Sequence, residues 1–144
     1  MRFYSHRLDR QARLIAIAIA AGTSVLFAVA WCLEPDNRGY GTHQQLGLPE
    51  CQFLRLTGWK CPQCGMSTSF AHIVRGQAVQ AWRSNPCGPI LAVVLAAVVF
   101  PWSVIAGLTG RSLLTRQPEF VILCMAGCYL LIATGTWLIR SAIL

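Results

Sequence analysis

The sequence predicts an all-α integral membrane protein: three transmembrane helices, with a cysteine-containing interfacial helical loop between the first and second. Three observations predict it. The 144-residue chain is 55% hydrophobic and only 12% charged, far from the balance of a soluble domain. Its acidic and basic residues are absent from three apolar runs, residues 14–33, 87–109 and 120–139, each with about the twenty residues that cross roughly 30 Å of hydrocarbon as a helix. None of these runs shows the polar face that a core helix of a soluble bundle carries.

Residues 1–13 form a basic N-terminal segment with Arg2, Arg7, Arg10 and Arg13, and residues 14–33 are transmembrane helix 1. A cleavable signal peptide is the rival, since a basic segment, an apolar run and the triplet Ala28-Val29-Ala30 fit its pattern. The apolar run continues through Trp31, Cys32 and Leu33, which favours a retained helix. Ala16, Ala20, Ser24 and Ala28 recur every four residues and offer a small-residue face for another helix.

Residues 34–86 are the cysteine-bearing loop with short interfacial helices. Pro35, Asp36, Asn37, Gly39 and Gly41 mark an exposed connector, in which His43 reads as a solvated histidine. Cys51, Phe53, Leu54 and Leu56 suggest a helical turn, with Gly58 in the left-handed position past its end and Trp59 suited to a membrane interface. Ser67 and Thr68 are placed to cap one helix carrying Phe70, Ile73, Val74, Ala78, Ala81 and Trp82 on its apolar face, with Arg75, Gln77, Gln80 and Arg83 opposite. Such a helix lies in the headgroup plane or packs over the bundle ends. Asn85-Pro86 ends it and opens transmembrane helix 2, residues 87–109, where Pro101 predicts a kink. A basic turn over 110–118 holds Arg111 and Arg116. Transmembrane helix 3, residues 119–140, opens at Pro118-Glu119 and carries Cys124 and Cys128 on one face, where cysteines usually serve as small apolar residues.

The net charge of +7 is scattered around the apolar runs rather than gathered with aromatics into one stripe. That excludes nucleic acid and points to anionic lipid headgroups. Basic residues are densest beside the span ends at Arg2, Arg7, Arg10, Arg13, Arg111 and Arg116, which predicts a cytoplasmic N-terminus. The apolar runs hold no Asp, Glu, Lys or His, so no proton relay or ion pathway is predicted.

Chemistry concentrates in the loop. In Cys61-Pro62-Gln63-Cys64-Gly65 proline and glycine shape a turn that aims two thiols at one point. A structural metal, zinc above all, would take Cys51, Cys61 and Cys64, with His72 or Cys87 as the fourth ligand. Disulfide bonding from Cys51 to Cys61 or Cys64 would staple the same loop in an oxidising compartment. Thiol exchange through Cys61 and Cys64 is the third chemistry, although no thioredoxin-like alternation of strands and helices surrounds the pair. Covalent haem attachment is excluded, because Gly65 stands where a histidine is needed.

The ordered set Cys51, Thr57-Gly58, Cys61-Pro62-x-Cys64-Gly65-Met66, Arg75-Gly76 and Asn85-Pro86 before a span resembles the bacterial membrane proteins of domain of unknown function 2752, over about residues 51–108. The resemblance implies a small bacterial multi-pass membrane protein with no assigned reaction and supports Cys51, Cys61 and Cys64 as the site, with metal and disulfide both open. The Thr-Arg pair that follows the glycine in that pattern is here replaced by Met66-Ser67-Thr68-Ser69, so no role of that arginine carries over. The combined expectation is a protein of the bacterial inner membrane, surrounded by membrane lipids. It is a structural or accessory subunit of a larger membrane complex, in contact with other membrane-protein subunits, rather than an enzyme. The alternative is a membrane thiol–disulfide oxidoreductase using Cys61 and Cys64.

Overall fold

The computed structural model describes residues 6–112 and 118–143, without the side chains of residues 6, 112, 118–122, 124–125 and 140–143. Helix α1, Arg10–Cys32, starts behind Asp9, whose Oδ1 accepts the Ala12 N–H at 2.8 Å, a side-chain cap for an otherwise unpaired donor. Its 23 residues rise about 34 Å at 1.5 Å each. The second long helical element runs over Cys87–Thr109, as α5 (Cys87–Val94), a π-helical turn (Leu95–Val99) and α6 (Phe100–Thr109). Pro101 explains the wide turn. It has no N–H for the carbonyl four residues back and its ring crowds that carbonyl, and Phe100 N–H reaches back five residues to Leu95 O. The kink predicted at this proline is thus taken up as a widened turn.

These two elements are long and apolar enough to cross a membrane, with mean hydropathies of 2.2 and 2.4. Helix α7, Pro118–Ile143, contributes a shorter apolar stretch, Ala126–Ile139. Among the described residues the architecture is all-helical apart from a two-residue antiparallel pair, β1 (His6–Arg7) with β2 (Arg111–Ser112), which joins the start of α1 to the end of α6. Arg2, Arg116 and the side chain of Cys124 lie outside the described residues.

α1 packs antiparallel to α6 and reaches the π-helical turn that precedes it. Its buried residues are Ala16, Thr23 and Ala30, spaced by seven, the repeat that keeps one stripe of a helix against a neighbour. Ser24 and Ala28 are exposed, so the predicted four-residue stripe is corrected to this seven-residue one. Close approach is greatest at Gly107, where an added Cβ would stand 2.9 Å from Ile17 Cγ1.

The loop over 34–86 folds back onto one end of this pair. It contains a 3₁₀ turn (Thr42–Leu46) and helices α2 (Gln52–Thr57), α3 (Met66–Ile73) and α4 (Ala78–Ser84). α3 and α4 replace the single helix expected from the apolar spacing, because the chain turns at Gly76, φ +74°. Ser67 and Thr68 do not cap α3. The cap position is Gly65, and Thr68 and Ser69 are buried within the helix. Thr68 Oγ1 pairs with Thr42 Oγ1 at 2.8 Å, which ties the connector to α3, while Ser69 Oγ donates to Ala81 O at 2.8 Å and Asn85 O at 3.1 Å, which ties α3 to α4. Phe70 joins Ala30 and Ala92 in a small core with Phe27, Met66 and Leu91 against it. Arg75, expected on the polar surface, reaches back to the end of α1 and donates to Ala30 O and Trp31 O. A cation there meets the negative end of the helix dipole.

Candidate metal centre

Three segments bring the cysteines together. Gly58, φ +74°, terminates α2 as the sequence predicts, and Cys51 stands at the N-cap of that helix. Cys61 and Cys64 lie on a tight turn closed by Cys64 N–H to Cys61 O at 3.0 Å and Met66 N–H to Gln63 O at 3.1 Å. Gly65 then launches α3 from a left-handed conformation, φ +86°. The Sγ atoms of Cys51, Cys61 and Cys64 all lie within 4.8 Å of one another, with Cys61 and Cys64 3.4 Å apart. A tetrahedral zinc with Zn–S bonds of about 2.3 Å places its sulfurs about 3.8 Å apart, so this triangle is of the right size. A disulfide needs about 2.05 Å and takes only two of the three sulfurs.

Asn85 secures the turn from outside. It is 1% exposed. Its Nδ2 donates to Pro62 O and Cys64 O, both at 3.1 Å, and its Oδ1 accepts the Cys87 N–H at 3.0 Å. One side chain therefore holds the cysteine turn against the start of α5. Helix α7 braces the other side. Tyr129 OH donates to Gln63 Oε1 at 2.7 Å, Trp137 Nε1–H donates to Lys60 O at 2.6 Å, and the Trp137 ring meets Phe53 edge-on at 6.3 Å.

The three cysteines line a cleft of about 210 Å³ together with Tyr40, His43, Gln44 and Glu50. His43 is partly exposed and its Nε2 donates to Pro49 O at 3.1 Å in a solvent-accessible bond, outside the sulfur triangle. It belongs to the wall of the site. Of the fourth ligands considered, neither joins the sulfur triangle. His72 sits near the end of α3 with Nδ1 bonded to Gln77 Oε1 at 2.6 Å. Six residues of helix separate it from Met66, a rise of about 9 Å. Cys87 is buried at the start of α5 with its thiol 3.5 Å from Thr136 Oγ1. His43 and Glu50 line the cleft beside the three sulfurs but do not join the triangle either.

The thiols are electrostatically unequal. The Leu54 amide in the first turn of α2, with the Cys61 and Cys64 thiols, holds the Cys51 pKa below its ordinary value against the opposing effect of burial. Burial, reinforced by the neighbouring Cys61 thiol, pushes Cys64 up to about 12. At pH 8 that leaves Cys64 with a thiolate fraction lower than that of an ordinary thiol by about three orders of magnitude, partly offset by the greater nucleophilicity of a more basic thiolate. In the reduced, metal-free protein Cys64 is therefore expected to alkylate roughly 50-fold more slowly than an ordinary thiol, and Cys51 well ahead of it. Mass mapping of a quenched iodoacetamide time course reads this directly, and equal rates at the two positions would refute the asymmetry. A bound cation would remove the asymmetry, because every coordinating thiol is held deprotonated.

No curated protein and no solved structure matches the chain. Residues 51–99, from the first cysteine of the cluster to the end of the widened helical turn, match the family described as Protein of unknown function (DUF2752), the family whose pattern the sequence resembles.

Proposed function

We propose that this chain is a small multi-pass protein of the bacterial inner membrane in which Cys51, Cys61 and Cys64 hold a structural zinc ion, so that the loop over 34–86 becomes a rigid docking module of a larger membrane complex. The observation that carries the metal reading is the convergence of three sulfurs, rather than two, on one point. A disulfide would leave one of the three thiols unused, whereas a thiophilic cation engages all three. Membrane placement is supported by the uncovered apolar faces. Only 17% and 22% of the two long apolar windows are buried, and Leu14, Val25, Val93 and Leu108 point outward. A core helix of a soluble protein would be covered there.

Native mass spectrometry of the unreduced, detergent-solubilised chain tests the site. The expected result is one zinc per chain, removed by chelator, with stoichiometric loss in each of Cys51→Ser, Cys61→Ser and Cys64→Ser and lower accumulation of each variant. Cobalt substitution gives a second readout through thiolate-to-metal charge-transfer absorption. A chain lighter by two hydrogens, restored by reductant and free of metal, would overturn the zinc reading. The second reading, thiol–disulfide exchange at Cys61 and Cys64, is favoured by their 3.4 Å separation. It requires Cys64→Ser to be abundant and assembled yet inactive, whereas the structural reading requires that variant to be depleted.

A further inference from the structure

At the opposite end of the helix pair lies a second cleft, of about 430 Å³, whose lining includes Arg7, Arg10, Arg13, Arg111 and Asp9. The backbone forces positive charge together here. The strand pair sets Arg7 directly opposite Arg111, an arrangement of like charges that destabilises a ladder by itself. Arg10 and Arg13 occupy the first turn of α1, where the helix dipole already presents positive charge. The Asp9 carboxylate, which caps Ala12 N–H, offsets one of the four guanidinium charges and leaves the cleft with a net positive charge. Arg13 is held in place by donating from Nε to Gly107 O at 2.8 Å and from Nη2 to Leu108 O at 3.4 Å. Among the described residues the one salt bridge is Arg38 with Asp36, so Arg7, Arg10 and Arg111 have no acidic partner there.

We propose that this arginine cleft binds a phosphate-bearing anion, supplied either by an anionic phospholipid headgroup or by free phosphate. Guanidinium groups suit that ligand because each presents a planar fork of donors to two oxygens, and several can share one tetrahedral group. Seating the anion between Arg7 and Arg111 converts a repulsive cross-strand pair into a clamp that ties the start of α1 to the end of α6. The lipid source fits the position of the cleft, since both long apolar helical elements end at this level.

Native mass spectrometry of the delipidated full chain, titrated separately with phosphatidylglycerol, phosphatidylcholine and inorganic phosphate, tests the site. Phosphatidylglycerol is expected to bind in preference to phosphatidylcholine, and the double variant Arg7→Gln/Arg111→Gln to weaken it about fivefold per arginine removed. The control Arg83→Gln, on α4 and charge-matched to the single variant Arg10→Gln, leaves the affinity unchanged. Arg10→Gln, outside the strand pair, is the second variant should the double change impair folding, with about a fivefold loss expected. Competition by inorganic phosphate assigns the site to a free anion, and retention of phosphatidylglycerol against phosphate assigns it to the headgroup. Equal phosphatidylglycerol affinity in wild type and Arg10→Gln, or the absence of both phosphatidylglycerol preference and phosphate binding, overturns the proposal.

Discussion

Gly65→Ala is expected to dismantle the cysteine site although it touches no sulfur. Gly65 has φ +86°, and a Cβ built on it would lie 2.5 Å from Ser84 O and 2.6 Å from Gly39 O. Two costs combine. A left-handed alanine costs roughly 1–2 kcal/mol. The clash falls on two backbone carbonyls, which cannot rotate away as a flexible side chain would. One of them precedes Asn85, so moving it moves the clamp on the cysteine turn. A total on the order of 3–5 kcal/mol places this among the severe single substitutions. The control is Gly58→Ala: Gly58 has φ +74° with nothing within 4 Å of its added Cβ, so only the conformational cost applies. Thermal unfolding in detergent should show Gly65→Ala well below Gly58→Ala, with zinc stoichiometry lost in the former and kept in the latter. If the two variants melt together, close packing around Gly65 does not hold the loop.

What the sequence makes legible here is what depends on near neighbours. The apolar runs, the stop at Gly58, the proline distortion in the second span and the start of α7 at Pro118 all follow from local chemistry. The convergence of Cys51 on Cys61 and Cys64 was readable as well, because two sulfurs share one turn and the third lies a short helix away. Where the fold departs from the sequence pattern, the cause is distant contact. One helix was expected where α3 and α4 stand, because Phe70 and Ala81 are both buried and keep a helical spacing across the break at Gly76. Periodicity records burial and is blind to a left-handed residue between two segments packed on the same core. His72 lies eight residues after Cys64 in sequence, yet helical rise carries it away from the triangle. No cysteine lies near His43 in sequence, and the folding of the connector onto α3, through Thr42 and Thr68, brings it to the cleft wall without making it part of the sulfur triangle.

Asn85 is the residue whose role was least visible, and Asn85→Ala is the second substitution of large expected effect. In sequence it is a helix stop before proline. In the fold its amide spans 21 and 23 residues to reach Cys64 O and Pro62 O, while its carbonyl oxygen receives the Cys87 N–H. Alanine removes all three bonds and leaves two carbonyls and one N–H to find other partners in a buried setting, at about 1–3 kcal/mol for each group left unsatisfied. A loss of roughly 3–5 kcal/mol follows, since some of these groups gain water as the turn loosens. Hydrogen exchange separates this from general destabilisation: the Cys64, Met66 and Cys87 amides should lose protection first, with α1 and α6 little changed. Asn85→Asp sharpens the test. Its carboxylate can still accept from Cys87 N–H, but in place of two donated bonds it sets an anion against the carbonyls of Pro62 and Cys64. It should therefore keep protection at Cys87 while losing it at Cys64 and Met66. Zinc affinity should fall in both variants, because the metal must then order a turn that Asn85 otherwise holds in advance. Unchanged protection at Cys64 in Asn85→Ala would mean that α7, through Tyr129 and Trp137, secures the cysteine turn unaided.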